Sequence, residues 1–102
     1  MKMSEKEILE ELDKLTGGDD RGSCYQCLKD DVEDLIDLGL VFVKVKRNDK
    51  LLVYFDDRER TDDELVKLGM RMSDYGADEI EFEEQFDPAK GKNYMKFSLW
   101  WD

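Results

Sequence analysis

The stretch GLVFVKVKRNDKLLVYF, residues 39–55, decides the fold because the chain changes there from helical to alternating periodicity. Val41, Val43 and Val45 occupy one face of a predicted strand, and the residues between them occupy the other. The polar segment 47–50 predicts a hairpin loop, since Asn and Asp tolerate turn conformations. Residues 51–55 then return as a second strand. The stretch therefore predicts an antiparallel hairpin.

Helical patterns lie on both sides of this hairpin. Three helix starts carry a hydroxyl residue followed three positions later by Glu or Gln, which is the capping-box pattern. These pairs are Ser4 with Glu7, Ser23 with Gln26, and Thr61 with Glu64. Apolar residues at helical spacing predict helices over residues 4–15, 24–38 and 62–75, with Leu65, Leu68, Met72 and Tyr75 as the stripe of the last. Glycines follow each helix and predict where it ends.

The last third of the chain predicts a second hairpin. Ile80, Phe82 and Phe86 alternate with three glutamates before a turn region, and residues 94–101 form the final strand. Because Trp100 and Trp101 are adjacent on that strand, they are predicted to face opposite sides. The element order α-α-β-β-α-β-β predicts an α+β fold with a four-stranded, mostly antiparallel sheet packed against helices. We expect one domain spanning residues 1–102.

The charge of the chain is its strongest functional signal. Twenty-seven Asp and Glu residues stand against 16 Lys and Arg, giving a formal net charge of -11. Such a field attracts basic partners and repels nucleic acid and anionic membranes. There is no histidine, which excludes Ser-His-Asp and Cys-His catalytic arrangements and mixed Cys/His zinc sites within this chain. No apolar run is long enough to span a bilayer, and two cysteines are too few for a disulfide framework, so we expect a soluble, cytoplasmic protein. The missing histidine argues against an enzyme, and no cofactor is expected.

Two smaller patterns carry weaker chemical hypotheses. Cys24 and Cys27 sit in the first turn of a predicted helix, where the helix dipole lowers a thiol pKa. A thiol redox role and a metal ion shared between two molecules are two interpretations, and a pair of small buried residues is the favoured one. The acidic run at residues 56–64 does not match the spacing of an EF-hand calcium loop and contains two arginines. No metal site is expected there.

The third pattern is the one that predicts a function. No basic residue occurs between Arg71 and Lys90, and this window contains Glu79, Glu81 and Glu83 on one face of a strand. Two strand rises separate successive glutamates by about 6.7 Å. Two base-pair steps of DNA advance about 6.8 Å. Such an acidic row could occupy a groove that a nucleic-acid-binding protein keeps for phosphates.

The sequence thus predicts a small acidic inhibitor that binds the groove of a basic nuclease or defence complex as a nucleic-acid mimic. In profile, though in no motif, it resembles phage-encoded antagonists of host defence, including anti-CRISPR proteins. An immunity protein or antitoxin for a basic toxin is the alternative, and it would also bind its partner through acidic residues. Direct contact with nucleic acid or membrane is not expected. The candidate partner-binding residues are Glu79, Glu81, Glu83, Glu84, Asp56, Asp57, Asp31 and Asp34 for charge, with Tyr54 and Trp100 as apolar anchors.

Overall fold

The computed structural model describes residues 2–15, 25–47, 49–89 and 91–101. The elements are α1 (Glu5–Leu12), α2 (Tyr25–Asp30), α3 (Val32–Asp37), β1 (Leu40–Arg47), β2 (Lys50–Phe55), α4 (Asp62–Ser73), β3 (Glu79–Asp87) and β4 (Lys92–Trp100). All neighbouring strands are antiparallel, in the order β1-β2-β4-β3. The α+β fold with a four-stranded antiparallel sheet is therefore confirmed, and β3 lies at one edge.

Capping boxes start α1 and α4 as the sequence predicts. The Ser4 hydroxyl accepts a bond from the Glu7 backbone N–H, and the Glu7 carboxylate accepts one from the Ser4 N–H. Thr61 and Glu64 form the same reciprocal pair at α4. Each pair satisfies two N–H groups that have no partner within the helix. The third predicted capping box, at Ser23, lies outside the described residues.

The predicted helix over residues 24–38 is in fact two short helices. Asp31 separates α2 from α3, with backbone angles of φ -91° and ψ -1°. Its carboxylate accepts a hydrogen bond of 2.9 Å from the Tyr75 hydroxyl and pairs with Arg71 on α4. Burial, reinforced by the hydrogen bond to Asp31, raises the pKa of Tyr75 far above its usual value. Apolar periodicity continues through the break, so sequence alone could not reveal it.

One predicted face of β1 is also corrected. The ladder between β1 and β2 is irregular between Leu40 and Phe42, which places one additional residue, Val41, in the strand. Val43 and Val45 pack on the main core, but Val41 packs on the opposite side of the sheet. A bulge shifts side-chain alternation by one position, so the prediction that all three valines share a face was wrong for Val41.

The main core lies between the helices and one face of the sheet. It joins Ile8 and Leu12 of α1, Val32 and Leu35 of α3, and Leu68 and Met72 of α4 to alternate residues of β1, β2 and β4. Met95, Phe97, Leu99 and Trp101 alternate along the final strand and are all buried on this side of the sheet. Leu65, predicted to belong to the buried stripe of α4, is instead 37% exposed. The start of α4 thus lies near the margin of the core.

The side of the sheet opposite the helices, which we call the open face, carries a smaller aromatic cluster. Phe42 stacks on Tyr54 with ring centroids 4.2 Å apart, and Tyr94 meets both rings edge-on. Trp100 lies on this face, half-buried, whereas Trp101 is buried on the helix side. The opposed orientation of the two tryptophans is therefore confirmed. No helix among the described residues is long and apolar enough to cross a membrane.

Candidate functional site

The edge strand β3 brings three of the predicted site residues together. Glu79, Glu81 and Glu83 pair across the ladder with Trp100, Ser98 and Lys96 of β4, so all three glutamates lie on the open face. β3 pairs only with β4, and no described segment hydrogen-bonds to its other side. The glutamates therefore form an exposed row along a free sheet edge, which we call the β3 row.

The β3 row is only partly neutralised. Glu83 forms an ion pair with Lys96, and its hydrogen bond raises the pKa of that lysine against the opposing effect of burial. Within the described part of the chain, no lysine or arginine forms an ion pair with Glu79 or Glu81. Both side chains are exposed. The carboxylates of Glu79 and Glu81 are therefore exposed to a partner, although Glu81 also interacts electrostatically with Lys96.

Trp100 lies beside this row and makes a hydrogen bond and two cation–π contacts with residues of the same chain. Its indole nitrogen donates to Asp49 at 3.3 Å. The guanidinium of Arg47 and the ammonium of Lys50 lie 5.3 and 5.8 Å from the ring centroid, within cation–π range. The open face is therefore basic and aromatic towards β1 and β2, and acidic along β3. Tyr54 is only 8% exposed, so it offers little area to a partner.

The helix-side face of β3 is uncovered for much of its length. Phe82 is 51% exposed and Phe86 57% exposed, although their alternation alone would suit a buried face. Phe82 contacts the buried Phe97 with ring centroids 5.1 Å apart. Glu84 lies between them on the same face, away from Glu81 and Glu83. The sheet edge thus combines an acidic row on one face with exposed phenyl rings on the other.

Glu84 and Asp57 line a different depression from the β3 row. It is a cleft of about 360 Å³ beside Phe82 and Leu65, with Arg58 and Arg60 also in its wall. Opposite charges share this cleft, so it is not a purely acidic surface. Sequence reasoning placed these two acids with the β3 row because it could not assign them to faces and loops in space.

Asp56 serves an internal ion cluster. Its carboxylate accepts from Arg58 at 2.8 Å and from Arg60 at 3.0 Å. Burial would raise the pKa of Asp56, but the hydrogen bonds from both arginines outweigh it and hold that pKa below its usual range. The Arg60 side chain is 5% exposed and also donates to the Leu38 carbonyl at 2.7 Å. This cluster holds the segment after β2 in place and partly neutralises the charge of Asp56.

Gly39 explains why the cluster fits so closely against the helix end. Its φ of +110° is a conformation that L side chains rarely adopt. A Cβ there would lie 2.4 Å from the Arg60 guanidinium and 2.8 Å from the Asp56 carboxylate. Any larger residue would displace the ion pair.

Asp31 and Asp34 lie away from the β3 row, on the helix side. Arg71 of α4 pairs with them at 3.6 and 3.9 Å. Asp31 also lines a cleft of about 600 Å³ between α3 and α4, whose wall includes Arg58 and Lys67 as well as acids. The two aspartates therefore connect helices. The structure does not assemble the ten predicted residues into one surface.

Cys27 differs from the favoured prediction of a buried thiol. It is exposed and disulfide-bonded. Cys24 lies outside the described residues. Among the residues that the structure describes, no group of three or more His, Cys, Asp or Glu side chains is arranged to hold a metal ion.

Three features of the site escaped sequence reasoning: the exposure of Phe82 and Phe86, the Arg60 ion cluster, and the Trp101 contact, in which the indole donates to the Tyr75 carbonyl at 2.9 Å. The exposure of the two phenyl rings depends on β3 lying at the sheet edge, and the other two features depend on hydrogen bonds between segments distant in sequence. Comparison of the chain with protein-family models, curated proteins and solved structures found no match.

Proposed function

We propose that this protein is an inhibitor that acts by binding, with the β3 row occupying the nucleic-acid-binding groove of a basic nuclease or defence complex. The observation that carries the proposal is that Glu79 and Glu81 are exposed on an edge strand and form no ion pair with any residue that the structure describes, in a chain of net charge -11. The proposal assigns no catalytic residue and no cofactor. Action in the cytoplasm is part of it.

Spacing and charge support a nucleic-acid mimic. Successive glutamates of the row are about 6.7 Å apart, close to the advance of two base-pair steps. A groove lined with lysine and arginine would then meet carboxylates where it normally meets phosphates. The excess negative charge of the whole chain would speed the encounter, while buried contacts at the edge would set the residence time.

The proposed surface is narrower than the sequence suggested. Arginines of the same chain form ion pairs with Asp56, Asp31 and Asp34 and partly neutralise their charge. The proposal therefore places the contact at Glu79 and Glu81, with Trp100 at its side, because Glu83 is paired with Lys96. Glu84 and Asp57 border the edge from the other face.

Two alternatives use the same molecule differently. An immunity protein or antitoxin would bind a basic toxin through the same row. This alternative differs from the proposal in the partner and shares its electrostatic mode of binding. A thiol redox protein is favoured by one observation, the exposed disulfide at Cys27. The two classes separate on Cys27→Ser, which abolishes redox activity and leaves an inhibitor intact.

Capture followed by competition tests the proposal. The immobilised protein is exposed to a lysate of its native host, washed, and then eluted with a mixture of single- and double-stranded DNA and RNA. We expect a basic nucleic-acid-binding protein to be retained and then released by nucleic acid at constant ionic strength. A column carrying Glu79→Lys/Glu81→Lys should retain little of it. Retention that nucleic acid does not disturb would count against a shared groove.

The matched control reverses two charges elsewhere. Glu10 on α1 and Glu33 on α3 are exposed, and both helices pack against the other face of the sheet. Glu10→Lys/Glu33→Lys changes the net charge by the same amount as Glu79→Lys/Glu81→Lys. A column with this control should retain the partner nearly as well as the unmodified protein, since the position of the charge is what the proposal specifies.

A further inference from the structure

We propose that β3 receives an extended basic strand from its partner, which adds to the sheet as a fifth strand. This rests on the proposed function, because it names how the partner would engage the same edge. Its starting point is the sheet order, in which β4 is the only described strand that pairs with β3 over Glu79–Asp87. Alternate backbone N–H and C=O groups along such an edge point outwards and are available for another strand.

The side chains of β3 suit an added strand on both faces. On the open face, Glu79 and Glu81 would lie beside the side chains of an adjacent strand, where opposite charges attract. On the helix-side face, the exposed rings of Phe82 and Phe86 would be covered by apolar side chains of that strand. The fitting segment therefore alternates basic and apolar residues, with its basic residues on the acidic side.

Charge decides which occupant fits. A second copy of this chain would bring another row of glutamates to the edge and another net charge of -11. Like charges on directly adjacent strands are destabilising. The glutamates therefore oppose self-pairing through β3 while favouring a cationic segment. The exposed phenyl rings add area that a purely ionic contact with a phosphate-binding groove would not need.

Amide hydrogen exchange on the full-length protein tests strand addition directly. The probe is a capped nine-residue peptide of alternating Lys and Val, and the control is the same length of alternating Glu and Val. We expect saturable binding of the Lys peptide, with protection of every second amide within 79–87, and no binding of the Glu peptide. Saturable binding that leaves the β3 amides unprotected, or no binding at millimolar peptide, would overturn the proposal.

Two double variants test whether the peptide binds at the β3 edge or to any exposed apolar surface. Phe82→Ser/Phe86→Ser should weaken binding of the Lys peptide by about tenfold or more, since it removes the apolar contact. Val66→Ser/Met70→Ser removes two residues of α4 that are similarly exposed, at 60% and 64%, and should leave binding unchanged. Equal weakening by both pairs would contradict the assignment to β3.

The hydrogen-exchange experiment also tests whether a second copy of the chain pairs with β3. Together with the capture experiment, it separates failure of strand addition from failure of the proposed function. Concentration-dependent protection of β3 amides in the absence of peptide would indicate a second copy and would overturn the basic-strand assignment. If the peptide adds to β3 but no captured partner is released by nucleic acid, the proposed function fails and strand addition stands. If the partner is captured and released while β3 amides stay unprotected in its complex, strand addition alone fails.

Discussion

Glu83 on β3 and Lys96 on β4 form an ion pair across a ladder position of the sheet, whereas Glu81, two residues away on the same face, has no such partner among the described residues. One row of identical side chains therefore contains a glutamate that stabilises the fold and glutamates that do not. This difference is the basis for separating structural from partner-binding acids.

Replacing each of these glutamates by glutamine should give different stabilities. Glu83→Gln loses the ion pair with a lysine that is largely buried, and should lower the free energy of unfolding by about 0.2–1 kcal/mol. Glu81→Gln removes one charge from an over-acidic chain and should stay within about 0.5 kcal/mol of the original protein. Urea unfolding at low ionic strength measures both. Equal destabilisation would mean that Glu81 also has a structural role.

Asp56 should make the protein sensitive to acid. Because its pKa is lowered in the folded state, the stability it contributes is fully present above the unfolded value of about 3.9 and is lost as pH falls through the folded pKa. Asp56→Asn should cost about 1–3 kcal/mol at neutral pH, since it weakens the bonds to Arg58 and the buried Arg60.

Denaturant unfolding of both proteins between neutral pH and pH 3 checks this prediction. The difference in stability between Asp56→Asn and the original protein should shrink as the solution is acidified below about pH 4. A difference that stays constant over this range would show that the carboxylate charge contributes nothing. Comparing the two proteins cancels the titration of the other carboxylates, including Glu7 and Glu11, whose pKa values are also lowered.

Truncating two phenylalanines should change stability by very different amounts. Phe55 is fully buried in the main core, and Phe55→Ala should cost about 3–5 kcal/mol through lost contacts and the cavity left behind. Phe86 is 57% exposed at the sheet edge, so Phe86→Ala should change stability by no more than about 0.5 kcal/mol. Thermal unfolding gives both values. A large loss in Phe86→Ala would place that ring in the core and remove it from any binding surface.

Cys27→Ser should leave the affinity for the captured partner within about twofold of that of the original protein, because the cysteine belongs to α2 and not to the β3 edge. The assay is binding of the captured partner before and after treatment with a reductant, with the serine variant beside it. Loss of binding in both the variant and the reduced protein would favour the thiol redox alternative.

Much of the fold follows from local pattern. The α+β class, the antiparallel hairpins, the capping boxes at Ser4 and Thr61, and the inward face of β4 all express short-range rules of capping and alternation. The break at Asp31 and the bulge at Val41 could not be predicted, since each depends on contacts with distant segments or on ladder geometry.

The candidate site was less accessible to sequence reasoning. Alternation placed Glu79, Glu81 and Glu83 on one face, but it could not show that β3 lies at the edge of the sheet. Nor could it show that Arg60 of the same loop pairs with Asp56, or that Arg71 of α4 pairs with Asp31. Charge counts report how many acids exist, and only the spatial arrangement reports which of them remain available.

The association rate constant of the captured partner tests the central claim most directly. It is measured at low and moderate salt for the original protein, for Glu79→Lys/Glu81→Lys and for Glu10→Lys/Glu33→Lys. We predict that reversal on β3 slows association by at least about tenfold and flattens its salt dependence, while the helix control stays within about threefold of the original. Equal slowing by the two variants would contradict the account, because total charge and not the β3 row would then govern binding.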